Sequence, residues 1–191
     1  MVRVVRLFWC LMALVPIACT QGSVDSSVVR DRTDMQHGLH TGQMIAEVTL
    51  PCEARSLALG QIDALQFVTF ATPTDCSSCS AHFGGLEHAS AEIDRILLSA
   101  NPRGANAIVV WATNTPEDQR SLTIMRHESK RLVCEDKNGT LWKTYNLQHT
   151  PVSALIAYGH VMYLTDRPFV LKPSEPQLLD DLRRVITATR P

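Results

Sequence analysis

The sequence contains no apolar run long enough to cross a membrane, and few of its residues are charged or aromatic. Charged residues make up 19% and aromatic residues 6% of the 191 residues, and the formal net charge is −1. No stretch reaches the ~18 apolar residues that a membrane-spanning helix requires. No basic stripe is present either, which argues against a nucleic-acid partner. The hydrophobic share of 45% is sufficient for a normal globular core.

The first 19 residues have the pattern of an export signal. Arg3 and Arg6 precede a short apolar segment over residues 7–18, and this segment is too short to span a bilayer. It ends at Ala18-Cys19, which resembles the lipobox of bacterial lipoproteins, although Pro16 stands where that motif usually has Leu. We therefore expect Cys19 to be lipidated and to become the mature N-terminus. Cleavage without lipid attachment and a buried N-terminal helix are the alternatives.

The chain is predicted to have three regions. Residues 1–19 form the signal, and residues 20–44 form a flexible tether that is rich in Ser, Thr, Asp, Gln and Gly without sustained periodicity. Residues 45–191 form one folded domain. We expect the domain to lie on the extracytoplasmic (periplasmic) side of a membrane, held by a lipid anchor. Disulfides persist in that compartment.

The six cysteines are expected to have different roles. Cys10 is lost with the signal, and Cys19 is the lipidation candidate, which leaves four in the folded domain. Two of these, Cys52 and Cys134, either form a structural disulfide or remain buried thiols, because sequence spacing does not decide the question.

The remaining two cysteines form a C-x-x-C motif, Cys76 and Cys79, in a setting that activates thiols. Leu65–Ala71 is apolar and β-prone, which predicts a buried strand, and 72–75 predicts a turn that caps a helix. Apolar residues then recur at helical spacing to about Ala100: Phe83, Leu86, Ala89, Ile93 and Leu97. The motif is thus expected at a helix N-terminus, whose partial positive charge favours the thiolate.

The other elements alternate along the chain. Strands are predicted at 47–50, 56–59, 106–112 and 132–135, a capped helix from Thr115, a short helix at 141–145, a hairpin at 152–165 around Gly159-His160, and a last helix from Ser174. Strands that alternate with helices imply an α/β domain with a parallel core, and the late hairpin adds an antiparallel edge.

These residues resemble the thioredoxin-like superfamily, and within it the exported thiol-disulfide oxidoreductases, or redoxins, of the TlpA and ResA type. The matching segments are 70–72 followed by 76–79, then 136–139, 145–151 and 153–161, and the likeness covers roughly residues 46 to 188. The resemblance implies a thioredoxin-like fold, a central mixed β-sheet flanked by helices. It also implies thiol-disulfide exchange without a cofactor. The expected partners are extracytoplasmic proteins with thiols or disulfides, together with an unidentified redox partner.

Each site residue has an expected role. Cys76, at the helix end, is the candidate nucleophile, and Cys79, one turn further in, is the candidate resolving thiol. The resemblance implies that Pro151 is a cis-proline facing the disulfide and that the Thr150 backbone pairs with an extended substrate segment. An ordinary turn proline is the alternative. Asp75 stands where the family usually has Trp, and it either disfavours the thiolate or caps the helix.

Three other interpretations of the motif stay open. The cysteines are an inert or structural pair in a redox-inactive binding module, or they bind Cu(I) together with His82, His149 or His160. Copper chaperones of related fold use C-x-x-x-C, and this spacing is one residue shorter. Zinc usually takes four ligands, and the sequence has no second C-x-x-C or paired His motif. We therefore expect no metal and no cofactor.

Overall fold

In a computed structural model of the chain, residues 38–72, 77–147, 151–165 and 174–188 are described, with the backbone alone for 77–82 and 174–176. The strands are β1 Val48–Pro51, β2 Ser56–Leu59, β3 Leu65–Ala71, β4 Ala105–Thr113, β5 Leu132–Lys137, β6 Val152–Ala157 and β7 His160–Thr165. The helices are α1 Ser77–Ala100, α2 Pro116–Glu128, α3 Thr140–Thr144 and α4 Ser174–Ala188. None of the described helices combines the length and apolarity needed to cross a membrane.

A five-stranded mixed sheet forms the centre of the domain. Its strand order is β5-β4-β3-β6-β7, with β3, β4 and β5 parallel and with β6 and β7 antiparallel to their neighbours. All seven residues of β3 are buried, which explains its nearly continuous apolar sequence. The predicted α/β class, with a parallel core and an antiparallel edge, is confirmed.

Different elements cover the two faces of the sheet. Leu39, the β1–β2 hairpin and α3 pack against one face, where Val68, Phe70 and Cys134 lie. Helices α1, α2 and α4 pack against the other face. Since side chains of a strand alternate between faces, odd-numbered residues of β3 face the long helices and even-numbered ones face the hairpin.

Two hydrogen bonds of the Gln66 side chain and a disulfide attach the hairpin to the sheet. The buried Gln66 side chain donates from Nε2 to the Ala58 carbonyl (2.8 Å), and its Oε1 accepts from the Gly60 N–H (2.9 Å). Cys52 and Cys134, 82 residues apart in sequence, form a disulfide between the end of the hairpin and β5. Of the two alternatives for these cysteines, the structure has the disulfide.

The folded unit includes residues 38–44, which the sequence analysis assigned to the tether. Leu39 is fully buried, and the N–H of Gly42 donates to the Val161 carbonyl (2.7 Å) at the edge of β7. The N–H of Ile45 donates to the Gly159 carbonyl (2.8 Å). Backbone pairing rather than an apolar pattern holds this segment, so periodicity did not reveal it.

Local sequence signals set several boundaries. Thr115 and Asp118 form the predicted capping box at the start of α2. The β6–β7 turn lies at Tyr158-Gly159, one residue before the predicted position. Both residues have positive φ, 55° and 74°, as a type I′ hairpin turn requires.

Removing the Cys52–Cys134 disulfide should destabilise the protein. The link closes a long loop and joins the hairpin to the buried sulfur of Cys134, so Cys52→Ala with Cys134→Ala is expected to cost about 2–5 kcal/mol of unfolding free energy. Urea denaturation measures the change. Thr49→Ala, an exposed change on β1, is the matched control and should stay within about 0.5 kcal/mol of the wild type. An equally small loss in the double variant would show that other contacts hold the hairpin.

Candidate active site

The three parallel strands end at one edge of the sheet, and α1 begins at that edge. β3 ends at Ala71 and β4 at Thr113, and α1 starts at Ser77 after the connection that follows Thr72. Cys79 is the third residue of α1, although its side chain is not described. Cys76 lies outside the described residues. The predicted strand and the predicted helix containing Cys79 are therefore confirmed for the backbone, and residues 73–76 of the predicted turn and motif lie outside the described residues.

Pro151 lies at the same edge. In the antiparallel pairing of β3 with β6, Phe70 is opposite Val152. Continuing that register by one residue places Pro151, which is buried, opposite Ala71 at the end of β3. The connection from Ala71 to α1 thus leaves the sheet beside Pro151. Thr150 lies outside the described residues.

The start of α1 favours negative charge. The helix has 24 residues, and its first turn contains no acidic residue. The unpaired N–H groups of a helix N-terminus carry partial positive charge and stabilise a thiolate within the first turn. Cys79 occupies that first turn. Asp75, which was expected to oppose this effect or to cap the helix, lies outside the described residues.

An aromatic contact holds the beginning of α1 against the sheet. The Phe83 and Trp111 rings lie 6.0 Å apart between centroids, tilted by 39°. Trp111 is paired in register with Ala71, so the contact fixes α1 directly beside the end of β3. The Trp111 indole N–H is buried, and within the described part of the chain it has no hydrogen-bond partner.

A pair of buried hydroxyls lies two residues further into the sheet than Ala71, the end of β3. Thr69 on β3 and Ser153 on β6 are register partners, and their side-chain oxygens are 2.9 Å apart. Neither residue was predicted from the sequence to belong to the site. Thr is common in strands, and Ser153 stands 84 positions away, so no local signal marks the pair.

Side-chain hydrogen bonds fix the loops that follow β4. The Asp118 carboxylate accepts from the N–H groups of Asn114 (2.7 Å) and Thr115 (2.8 Å). Thr113 donates from its hydroxyl to Glu135 (2.8 Å) on the neighbouring strand. This part of the edge is therefore held in one geometry.

Asp136 fixes the loop that follows β5, also through hydrogen bonds to backbone N–H groups. Its buried carboxyl accepts from the N–H groups of Leu141 (3.0 Å) and Trp142 (3.1 Å) at the start of α3. Burial raises the pKa of Asp136 above its usual value, and these backbone hydrogen bonds partly oppose the shift. The carboxyl thereby fixes α3, and the chain continues from α3 towards Pro151.

The described residues offer no cluster for a metal. Within those ranges, no group of three His, Cys, Asp or Glu side chains is arranged to hold a metal ion. His160 pairs with Ala157, which pairs with Leu65 at the first residue of β3. It is thus about 20 Å from the Pro151 end of the sheet, given the rise per strand residue, and cannot share a metal with Cys79. His149 and the His82 side chain are not described.

No family model and no curated protein matches the sequence. Solved structures do match the fold. A protein assigned as the thiol:disulfide interchange protein DsbE of Chlorobium tepidum is 16% identical, with a TM-score of 0.60 over 78% of this chain and 99% of its own. A thioredoxin-like protein from Porphyromonas gingivalis is 16% identical, with a TM-score of 0.55 over 80% and 97%. StoA from Bacillus subtilis is 17% identical, with a TM-score of 0.53 over 71% and 95%. The chain has a thioredoxin-like fold.

The pKa of Asp136 has a consequence for stability. Because the folded state raises this pKa, it binds the proton more tightly than the unfolded chain, and the ionised carboxylate costs stability. The unfolding free energy of the wild type, relative to Asp136→Asn, should be greatest below about pH 4 and should fall as pH rises through the folded pKa. Urea titrations of both proteins from about pH 3 to about pH 7 measure the difference. Asp136→Asn also loses one hydrogen-bond acceptor, which changes the unfolding free energy by the same amount at every pH. The test is therefore how the difference in unfolding free energy between the two proteins changes with pH. A difference that grows with pH would contradict the assigned burial.

Proposed function

We propose that the protein is an extracytoplasmic thiol-disulfide oxidoreductase that exchanges disulfides with protein substrates through Cys76 and Cys79. One observation carries the proposal. In a thioredoxin-like fold, the helix that contains Cys79 in its first turn begins beside Pro151, at the edge where the parallel strands end. A thiol pair at a helix N-terminus, next to a segment that can bind an extended chain, has the features that the chemistry requires.

The reaction proceeds in two exchanges. The Cys76 thiolate attacks one sulfur of a substrate disulfide, forms a mixed disulfide and releases the other substrate sulfur as a thiolate. The Cys79 thiolate then attacks the Cys76 sulfur, which forms the Cys76–Cys79 disulfide and releases the second substrate thiolate. The substrate is reduced by two electrons, and the pair is oxidised by two. A redox partner then reduces the Cys76–Cys79 disulfide to the dithiol. When the reaction runs in the opposite direction, the disulfide form of the pair oxidises substrate thiols.

Pro151 and Thr150 are proposed to hold the substrate. Pro151 directly precedes β6, and its neighbour Val152 is opposite Phe70 near the end of β3. If the bond before it is cis, as the family resemblance implies, the Thr150 backbone faces an incoming extended segment and pairs with it as an added strand. In this proposal, the substrate segment presents its sulfur to Cys76.

The compartment follows from two features. The N-terminal sequence pattern supports export and lipid attachment at Cys19. The Cys52–Cys134 disulfide supports an oxidising location, since such bonds rarely persist in the cytosol. The domain would then act on exported proteins from a membrane-anchored position.

The Cys79→Ser variant should capture protein partners. Without the resolving thiol, Cys76 retains its mixed disulfide, so covalent complexes accumulate and can be isolated from cells and identified by mass spectrometry. Adding Pro151→Ala should change the yield or the identity of these partners, while Cys76 remains open to alkylation.

The control for this experiment is Cys79→Ser combined with Cys76→Ser, which should capture nothing. The Cys52–Cys134 disulfide is present in every variant, so it cannot account for a difference between them. If Cys79→Ser captures no protein under oxidising growth, the protein-substrate proposal fails. A glutathione titration of the wild-type pair and an anaerobic Cu(I) titration would then separate small-molecule exchange from copper binding.

Replacing Cys19 should abolish membrane attachment. The multiple acyl chains of a bacterial lipoprotein anchor stably, whereas a chain without them has only protein contacts. Cys19→Ala is therefore expected to appear as a soluble or unprocessed protein after fractionation. A wild-type protein that is soluble and begins at another residue would refute lipidation and leave export unaffected.

A further inference from the structure

Within the described part of the chain, the beginning of β4 has a neighbouring strand on one side only. β4 begins at Ala105, but β5, which pairs with it in parallel, begins at Leu132 opposite Ile108. Residues 105–107 are partly exposed, whereas the rest of β4 is buried. The sheet therefore has a gap about 10 Å long beside the beginning of β4, where an earlier start of β5 would fill it.

Main-chain groups of β4 point into this gap. The Leu65 N–H of β3 donates to the Gly104 carbonyl (3.0 Å). The carbonyl and the N–H of one trans peptide point in opposite directions, so the Ala105 N–H points away from β3 and into the gap. Both main-chain groups of a strand residue point to the same side, and this side alternates along the strand. The Ala105 carbonyl and the Ala107 N–H therefore also face the gap, and such an edge can pair with an added strand.

A cavity of about 210 Å³ lies at this gap. It is lined by Ala105 and Ala107, whose side chains face the long helices, and by Asn106 and Ile108, whose side chains face the hairpin. It is thus at the edge of the strand rather than over one face of the sheet. The other residues that line it are Leu97, Leu98 and Asp94 of α1, Arg55 of the loop between β1 and β2, and Leu132 at the start of β5.

The chain that leads into β5 is held away from the gap by α1. The buried Arg131 guanidinium donates to the Asp94 carboxylate (2.7 Å) and to the Ser90 carbonyl (2.9 Å), both on α1. The Lys130 N–H donates to Glu87 of the same helix (3.0 Å). The chain therefore enters β5 from the side of α1 rather than along the line of the strand. The ion pair with Arg131 also neutralises Asp94, the carboxylate that lines the cavity.

The two sides of the cavity differ in chemistry. On the helix side, Leu97 is buried, and Leu98 is an apolar side chain with 49% exposure. On the hairpin side, the exposed Arg55 donates to the side-chain oxygen of Asn106 (3.3 Å). Among the salt bridges of the described residues, none pairs Arg55 with a carboxylate. Since side chains alternate along an extended chain, a segment in the gap presents one side chain to Leu98 and the next to Arg55.

We propose that this gap is a second binding site, which takes an extended segment of a partner protein in which an apolar residue is next to an acidic one. The main chain of that segment pairs with Ala105 and with the Ala107 N–H as a short added strand. Its apolar side chain packs on Leu97 and Leu98. Its carboxylate accepts a charge-assisted hydrogen bond from Arg55.

The shape of the gap favours a narrow projecting segment over a second copy of the domain. Two sheets that pair edge to edge need a long exposed edge, and here β5 covers β4 from Ile108 onward. Side chains of α1 and of the hairpin loop also stand on both sides of the free part. A single extended segment fits between them.

The site is separate from the candidate active site. Ala105 pairs with Leu65, the first residue of β3, whereas Pro151 lies beside Ala71, the last one. The rise per strand residue makes the distance between them about 20 Å. A partner bound in the gap would therefore leave the edge that contains Pro151 uncovered.

The probe for this site is the tripeptide Glu-Val-Glu, blocked at both ends, titrated into isotope-labelled protein and followed by nuclear magnetic resonance. An acidic residue on each side of Val means that either strand direction brings one carboxylate to Arg55. The N–H resonances of Ala105 and Ala107 should shift, and their hydrogen exchange should slow, because these N–H groups become paired. The blocked peptide Lys-Val-Lys should bind more weakly, by about threefold or more.

Three variants test the two sides of the cavity. Arg55→Gln should weaken binding of Glu-Val-Glu about threefold to tenfold and remove its advantage over Lys-Val-Lys, since the charged donor is lost at a partly exposed site. Leu98→Asp should also weaken binding, because it removes the apolar contact and repels the probe. Ile124→Asp makes the same change at an apolar residue of α2 with 57% exposure, outside the cavity, and should bind as the wild type does.

Several results would overturn the inference. These are unchanged Ala105 and Ala107 resonances at millimolar peptide, equal binding of the two peptides, or equal weakening by Leu98→Asp and Ile124→Asp. Shifts that follow protein concentration without peptide would overturn it in favour of self-association. Neither peptide contains a thiol, so the outcome is independent of whether the proposed thiol-disulfide exchange is correct.

Discussion

The pairing of β3 with its two neighbours is the constraint on which the rest of the structure depends. β3 is buried on both faces and is parallel to β4 on one side and antiparallel to β6 on the other. Its register with β6 determines that Ala71 leaves the sheet beside Pro151, and its register with β4 places Trp111 where Phe83 of α1 can contact it. A shift of one residue would turn every side chain of β3 to the opposite face. It would separate Thr69 from Ser153 and turn Gln66, which holds the hairpin, towards the long helices.

The two faces of the sheet are held to their covering elements in different ways. The face under the hairpin is held by long-range links, the Cys52–Cys134 disulfide and the hydrogen bonds of Gln66, because two short strands contribute little buried surface of their own. The face under α1 needs no such link, since helices of 24 and 15 residues cover it with apolar side chains. The candidate site lies at the end of this second face. Chemistry at its thiols would leave the link that holds the hairpin intact.

The sequence predicts local structure well and long-range pairing poorly. β2 and β3 have their predicted bounds, because an apolar strand between turn residues carries its own signal. The capping box at Thr115 is likewise a local pattern. The disulfide, the packing of residues 38–44 and the Thr69–Ser153 contact each join segments that are distant in sequence. Their residue types are common at ordinary positions in strands and loops. Only the assembled sheet brings them together, so no window of sequence could reveal them.

The electrostatics of the site depend on dipoles rather than on buried charge. Among the described residues, the buried charged groups are Asp118, Arg131 and Asp136, and each is occupied elsewhere, in a cap or an ion pair. At the start of α1 the described groups are backbone N–H groups, which carry partial positive charge. A buried carboxylate there would repel a thiolate and would itself titrate, whereas helix N–H groups stabilise a thiolate and do not titrate. Thiol acidity would then be set by the position of the helix, which the register of β3 determines.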